Sequence, residues 1–216
     1  MIKIGQKVIF LAIGIISIHS CNYFNNEASD GFHPDILFHD DFSDNRSGWD
    51  RVNDEYKSAD YDHGGYRIIV NSKNSVVWAN PDLSFEDSIV EVEATKLGGP
   101  DDNDFGLLCR FQGSEGFYSF IISSDGFYAI TKWVNGQHVI ISSEGMEYSE
   151  YINQGGGSNL IRAECVGNTL KLSVNNNPLV QVTDSDFQTG EVGLIAGTFN
   201  MHGTDIKFDN FEVKKP

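Results

Sequence analysis

Positive charge is scarce in this sequence of 216 residues, which has 15 lysines and arginines against 31 aspartates and glutamates. The formal net charge at pH 7 is −16. Such an acidic surface repels nucleic-acid phosphates and anionic lipid headgroups, so binding to nucleic acid or directly to a lipid surface is not expected. The composition fits a domain outside the cytoplasm, or one that collects divalent cations.

Long apolar runs are also lacking. The run from Val8 to Ile18 is much shorter than the about 20 apolar residues that a membrane-spanning helix needs. Lys3 and Lys7 precede it and the small Ser20 follows it, which is typical of a secretory signal peptide. We therefore expect residues 1–20 to be removed. The net charge then changes from −16 to −18, because two lysines and no acidic residue are lost.

Cys21 follows the predicted signal directly. The sequence Ile-His-Ser-Cys at residues 18–21 resembles the bacterial lipobox, in which a small residue precedes the cysteine that is lipidated. The resemblance implies a lipoprotein acylated at Cys21 and anchored outside the cytoplasm, at the cell surface or in the periplasm, with several acyl chains giving a stable anchor. An ordinary signal peptide with an incidental cysteine is the alternative.

Cysteine is otherwise rare, since the chain has three. With Cys21 lipidated, Cys109 and Cys165 remain. They can pair outside the cytoplasm if the fold brings their Cα atoms within about 7 Å. A disulfide and two buried free thiols are both open at this point.

No helical period is convincing from Leu37 onward. Residues 21–36 are polar and predict a flexible tether, which leaves residues 37–214 as one domain. There, β-branched and aromatic segments alternate with turn signals such as Ser124-Asp125-Gly126 and Asn135-Gly136. About a dozen short strands at this spacing predict an all-β sandwich or barrel.

The predicted strand from Phe105 to Phe111 separates two faces. Leu107, Cys109 and Phe111 share one face, which we interpret as core. Arg110 lies on the other face with Gly106 and Leu108, and a long cation is seldom buried unpaired. That face is therefore predicted to be partly open.

The two ends of the domain carry a family resemblance. It begins with Phe-His-Asp-Asp-Phe at residues 38–42 and Ser-Gly-Trp at 47–49, and it closes with Phe-Asp-Asn-Phe-Glu-Val at 208–213. This order resembles the concanavalin A-like lectin/glucanase superfamily over residues 37–214, in particular the 3-keto-disaccharide hydrolase domain group. The resemblance implies an all-β jelly-roll sandwich of two antiparallel sheets, one of them concave, with the N- and C-terminal strands paired. This fold serves lectins, binding modules, adhesion domains and glycosidases, so it does not decide function.

Carbohydrate sites on such sandwiches stack aromatic rings against sugar rings. The predicted ligand-binding residues on the concave sheet are Arg110, Trp133, Trp78 and Phe127. The alternative is that these aromatics pack inside the core.

A hydrolase would need two carboxyl groups. Glu91 and Glu93 alternate on one strand and lie about 6 to 7 Å apart by strand geometry, a spacing that glycosidases use. The third acid of the jelly-roll glucanase motif is missing, however, and neither a Gly-x-Ser-x-Gly elbow nor a His-x-x-x-His pair is present. No catalytic residue is assigned, and Glu91 and Glu93 are the candidates if the domain is an enzyme.

Calcium is the one cofactor that the sequence suggests. Asp101, Asp102 and Asp104 offer hard oxygen ligands in one predicted loop. A second set, if the terminal strands pair, consists of Asp40 or Asp41 with Asp209 and Asn210. Solvated turns are the alternative.

The interpretation that we favour is a lipid-anchored, non-catalytic module for carbohydrate or another cell-surface ligand. A glycoside or 3-keto-glycoside hydrolase and a structural surface domain are the alternatives.

Overall fold

Residues 35–216 are described by the computed structural model, and they form seventeen β-strands in two antiparallel sheets. Strands are numbered β1 to β17 in chain order. Residues 35–216 contain no helix. This part of the chain therefore has no helix that is long and apolar enough to cross a membrane. The predicted all-β sandwich is confirmed, whereas the signal peptide, Cys21 and most of the tether lie outside the described residues.

The first sheet has nine strands in the order β15-β14-β13-β7-β17-β4-β3-β2, with β1 paired to β17. Its strands are β1 (Ile36–Asp40), β2 (Val52–Asn53), β3 (Lys57–Tyr61), β4 (Tyr66–Val70), β7 (Ser88–Gly98), β13 (Asn159–Val166), β14 (Thr169–Val174), β15 (Asn177–Thr183) and β17 (Thr204–Lys214).

The second sheet has eight strands in the order β11-β10-β9-β8-β16-β5, with β12 paired to β10 and β6 paired to β16. Its strands are β5 (Ser75–Ala79), β6 (Ser84–Phe85), β8 (Asn103–Phe111), β9 (Gly116–Ile122), β10 (Phe127–Val134), β11 (Gln137–Ile140), β12 (Glu147–Tyr148) and β16 (Gly190–Thr198).

The terminal strands close the first sheet, as the resemblance implied. β1 runs antiparallel to β17, with Phe38 opposite Val213 and Asp40 opposite Phe211. Asp40 accepts hydrogen bonds from the Phe42 N–H at 2.7 Å and from Trp49 Nε1–H at 2.9 Å. The Trp49 ring meets Phe211 edge-on at 4.9 Å. Asp40 therefore fixes the Trp49 ring, and that ring packs on the C-terminal strand β17.

The main core lies between the sheets. Side chains alternate along a strand, so one face of each sheet is apolar and packs inward. Tyr66, Ile68 and Val70 on β4 are fully buried, and so are Ile161 and Ala163 on β13. This alternation is the sequence signal that predicted the sandwich.

A disulfide joins the two sheets. Cys109 on β8 bonds to Cys165 on β13, with the Cα atoms 6.9 Å apart. The sequence left this pairing open, because the distance depends on how the two sheets stack.

Candidate functional site

The second sheet carries an apolar cluster on its outer face, the face turned away from the first sheet. This cluster is separate from the main core. Alternation explains it, because on β9 Tyr118 and Phe120 point into the core while Phe117 and Ile121 point outward. The buried members are Leu108, Phe117, Ile121, Ala129 and Ile195, and the partly buried ones are Val76, Trp78, Phe111, Trp133, Ile140 and Met146. An apolar surface on the outside of a sandwich is a candidate binding surface.

Four aromatic rings cross this face from strand to strand, and we call them the aromatic row: Trp78 on β5, Phe111 on β8, Phe117 on β9 and Trp133 on β10. Trp78 lies 6.0 Å from Phe111 and 5.7 Å from Phe117, measured between ring centroids. Phe117 stacks parallel to Trp133, with an interplanar angle of 5° at 6.2 Å. Phe117 is buried by its neighbours, whereas Trp78, Phe111 and Trp133 are partly open to solvent.

His138 extends the aromatic row with a polar group. Its ring centroid lies 6.3 Å from that of Trp133. His138 Nε2 forms a hydrogen bond with Thr131 Oγ1 and lies 3.4 Å from Ser119 Oγ. His138 is exposed as a residue, but desolvation of its imidazole lowers its pKa and so favours the neutral ring at pH 7.

Charged groups flank the row at Trp78. A pocket of about 280 Å³ lies beside this ring, and its lining includes Asp50, Arg51 and Lys57. The Arg51 guanidinium donates two hydrogen bonds to the Asp60 carboxylate, of 2.6 and 3.1 Å. Hydrogen-bonding side chains next to an apolar ring are the usual composition of a small-molecule site.

A second, larger pocket occupies the other end of the outer face, and we call it the end pocket. Its volume is about 410 Å³. The end pocket is lined by Asp102, Ser123, Asp125, Phe127, Met146, Phe199 and Asn200. Phe127 is 38% exposed and packs edge-on against Tyr148 at 5.7 Å.

Three of the four predicted ligand-binding residues thus lie on one face. Trp78 and Trp133 belong to the aromatic row, and Phe127 belongs to the end pocket. None of the three is packed inside the main core. Their contact with a ligand stays a prediction.

Arg110 requires a correction. Its side chain is 1% exposed and donates to the carbonyl oxygens of Glu86 at 3.1 Å and Phe187 at 2.9 Å. Nη2 also lies 3.3 Å from Asp87 Oδ1. Burial lowers the pKa of Arg110, although the nearby carboxylate of Asp87 opposes that effect. Arg110 is a buried structural residue and is not on an open face.

Phe111 also departs from the prediction. Arg110 has a φ of 54°, and the pairing of β16 with β8 shifts register between Glu191 and Gly193. Such a bulge resets the alternation of side chains. Phe111 therefore lies in the outer cluster and not in the core.

Glu91 and Glu93 lie far from the aromatic row, on the outer face of the first sheet. The neighbouring Val90 and Val92 point into the core. Burial alone raises the pKa of Glu91, but hydrogen bonds from Lys214 and Arg162 outweigh it and hold that pKa below its usual value. Glu93 is exposed. Glu91 is therefore held in ion pairs and Glu93 is a surface residue, and both lie on the other sheet from the aromatic row.

The predicted calcium ligands do not converge. Asp101 pairs with Lys96, and Asp104 is buried in β8. Asp40, from the alternative set, is committed to Phe42 and Trp49. Within residues 35–216, no group of three or more His, Cys, Asp or Glu side chains is arranged to hold a metal ion.

Two members of the aromatic row were missed by the sequence reasoning. Phe117 pairs directly with Trp133 across the hairpin that turns at residues 124–126. Counting outward from that turn could have found the pair. Phe111 offered no such signal, because its position depends on the bulge at Arg110.

Comparison with solved structures gives several with the same architecture. The carbohydrate-binding module CBM66 from Bacillus subtilis superposes with a TM-score of 0.63 at 18% sequence identity, covering 78% of this chain and 96% of that chain. A Bacillus subtilis protein of unknown function with a galectin-like fold gives 0.63 at 11% identity, covering 84% and 96%. The chain has a concanavalin A-like jelly-roll fold.

An enzyme domain shares this fold as well. The catalytic domain of an endo-1,3-beta-glucanase (laminarinase) from Thermotoga petrophila superposes with a TM-score of 0.58 at 9% identity, covering 83% of this chain and 97% of that chain. No protein-family model and no curated protein matches the sequence. At these identities the likeness establishes the fold alone, and the nearer resemblance to 3-keto-disaccharide hydrolase domains stays a prediction.

Proposed function

We propose that this domain binds carbohydrate, without catalysis, on the outer face of the second sheet. The aromatic row is the observation that carries the proposal. Its rings form a contiguous apolar strip in which Trp78 and Trp133 keep part of their surface open to solvent. The apolar face of a sugar ring packs on such aromatic surfaces, while neighbouring polar groups take its hydroxyls.

The polar groups needed for hydroxyls flank the strip. Asp50, Arg51 and Lys57 lie beside Trp78, and His138 lies beside Trp133. The neutral state of His138 suits it to exchange hydrogen bonds with uncharged ligands.

Binding without hydrolysis is favoured by the position of the candidate acids. Glu91 and Glu93 are on the opposite sheet from the aromatic row, and Glu91 is neutralised by Arg162 and Lys214. A glycosidase needs one carboxyl group that is protonated near neutral pH, and a lowered pKa removes Glu91 from that role.

The proposal is tested with a glycan array followed by calorimetric titration of the ligands found. We expect Trp78→Ala and Trp133→Ala to weaken binding at least tenfold each, as loss of a stacking ring does. Tyr151→Ala is the matched control, because Tyr151 is an exposed aromatic outside the row and the end pocket. Binding that survives both tryptophan variants would contradict the proposal.

We also propose that Cys21 is acylated and that the domain works outside the cytoplasm. The disulfide between Cys109 and Cys165 supports this, because disulfides persist in oxidising compartments. Mass spectrometry of the native N-terminal peptide is expected to find lipid on Cys21, and Cys21→Ser to release the protein from the membrane fraction. An unmodified Cys21 in the membrane fraction would contradict the proposal.

A further inference from the structure

The apolar surface of the outer face continues from the aromatic row to the end pocket. Met146 belongs to both parts, because it packs against the outer cluster and also lines the end pocket. Phe127 lines the pocket and Trp133 belongs to the row, and both lie on β10. They are six residues apart along this strand, which is roughly 20 Å. The row and the pocket are therefore two ends of one surface.

The surface between these two ends is uncharged. The outward positions of β9 and β10 form cross-strand pairs, in which Ser119 faces Thr131 and Ile121 faces Ala129. All four side chains are buried and none of them carries a charge. A ligand that extends from the row to the pocket would therefore cross no charged group on these two strands.

The end pocket combines an aromatic ring with hydrogen-bonding side chains, as the pocket beside Trp78 does. Phe127 is 38% exposed, and Asp102 and Asn200 are exposed beside it. Asp125 accepts a hydrogen bond from Ser123 through Oδ1, and its Oδ2 accepts none from residues 35–216. Carboxylate and amide groups exchange hydrogen bonds with hydroxyls. The end pocket thus has the composition of a second sugar subsite.

Charge limits the kind of sugar that suits this pocket. Asp102 and Asp125 line it, and its other lining residues are uncharged. The whole chain also has a formal net charge of −16. A sugar that carries a carboxylate or a sulfate would be repelled, whereas an uncharged sugar would not.

We propose that the outer face binds a linear, uncharged glycan chain that stacks on Trp133 in the aromatic row and again on Phe127 in the end pocket. The inference rests on the proposed function, since it adds a second subsite to the same face and names the class of glycan. The sugar units between the two rings pack on the uncharged surface of β9 and β10.

Two linked subsites make the affinity depend on chain length. A disaccharide is too short to span about 20 Å, so it occupies one subsite at a time. A longer chain that is held at the row brings its next units to the end pocket at a high effective concentration. The affinity should therefore rise with length until the chain reaches both rings, and then level off.

The test is calorimetry on the full chain in detergent, with chains of increasing length. The probes are β-linked oligomers of glucose, of xylose and of mannose, each from the disaccharide to the hexasaccharide. Oligomers of galacturonic acid are the anionic comparison. We expect at least one neutral series to bind, with the hexasaccharide tighter than the disaccharide by about tenfold or more. The galacturonic acid oligomers should bind more weakly than that series.

Phe127→Ala separates the two subsites. It should remove most of the gain in affinity with length, because the second ring is lost. Tyr151→Ala is the matched control, since Tyr151 is an exposed aromatic outside the row and the end pocket, and it should keep the whole gain. Thermal unfolding of each variant shows whether it folds.

The inference is overturned if no neutral series binds, if affinity does not rise with length, or if the galacturonic acid oligomers bind more tightly. An unchanged length dependence in Phe127→Ala would overturn it as well. The proposed function fails separately, if Trp78→Ala and Trp133→Ala both leave the affinity of a bound glycan unchanged. If these variants weaken binding but affinity is independent of length, only the present inference fails.

Discussion

The side chain of Arg110 is buried inside the sandwich and makes hydrogen bonds through all three of its guanidinium nitrogens. Its backbone is left-handed, with a φ of 54°, and its guanidinium reaches two carbonyl oxygens and Asp87. These contacts join β8 to the loops that contain Glu86 and Phe187. The presence of an arginine predicted an open face, but Arg110 instead connects a strand to two loops from a buried position.

Arg110→Ala is expected to lower the free energy of unfolding by about 3 kcal/mol, because it leaves buried carbonyl groups without donors. Urea denaturation measures the change. Arg46→Ala, at a side chain that is 85% exposed, should leave the denaturation midpoint almost unchanged. A stable Arg110→Ala protein that has lost glycan binding would restore Arg110 as a ligand contact.

Asp104 makes a prediction about pH. Its pKa of about 7 in the folded state lies above the unfolded value of 3.8, so the folded state binds the extra proton between those values. Its contribution to stability is therefore largest at low pH and is lost as the pH rises towards 7, by up to about 4 kcal/mol.

Denaturation of wild type and Asp104→Asn at pH 5 and pH 8 isolates this effect. The variant should gain stability relative to wild type as the pH rises. His138 acts in the opposite sense, since burial lowers its pKa, but it is common to both proteins and cancels in the difference. A constant difference between the two proteins would show that Asp104 titrates normally.

At the scale of the strand, alternation predicts most of the fold. Leu107 and Cys109 face the core as expected, and the turn at residues 124–126 joins β9 to β10. The prediction fails beyond Arg110, because a bulge reverses the faces and an arginine carries no signal for left-handed backbone.

The site was partly predictable for the same reason. Trp133 and Phe127 share a face because both lie on β10 at even spacing, which the sequence shows. The ion pairs of Glu91 depend on Arg162 and Lys214, which are 71 and 123 residues away. No local pattern reveals such partners, so the acid pair could be judged only from the structure.

The terminal strand β1 gives a prediction for an element. Removing residues 35–40 deletes the Phe38 to Phe211 ring contact and the two hydrogen bonds that Asp40 accepts. We expect a chain that begins at residue 41 to lose about 3 kcal/mol or more of stability relative to one that begins at residue 35. Chemical denaturation compares them, and equal midpoints would mean that β1 does not close the first sheet.

For the molecule as a whole, the disulfide adds a covalent side-chain crosslink between the two sheets. It closes a loop with a sequence separation of 56 residues. The chain-entropy estimate for such a loop is about 4 kcal/mol. We expect the double variant Cys109→Ala, Cys165→Ala to be destabilised by roughly that amount in denaturant. Thiol titration of unreduced, unfolded wild type should find neither cysteine free, and two reactive thiols there would contradict the pairing.

The central claim is that glycans bind on the outer face of the second sheet, and indole NMR tests it most directly. The chain has three tryptophans. Trp78 and Trp133 belong to the aromatic row, whereas Trp49 is buried, with 3% of its surface exposed, and packs beside Phe211. Titration with a glycan found on the array should shift the Nε1–H signals of Trp78 and Trp133 and leave that of Trp49 in place. A glycan that binds without moving either row tryptophan would contradict the account.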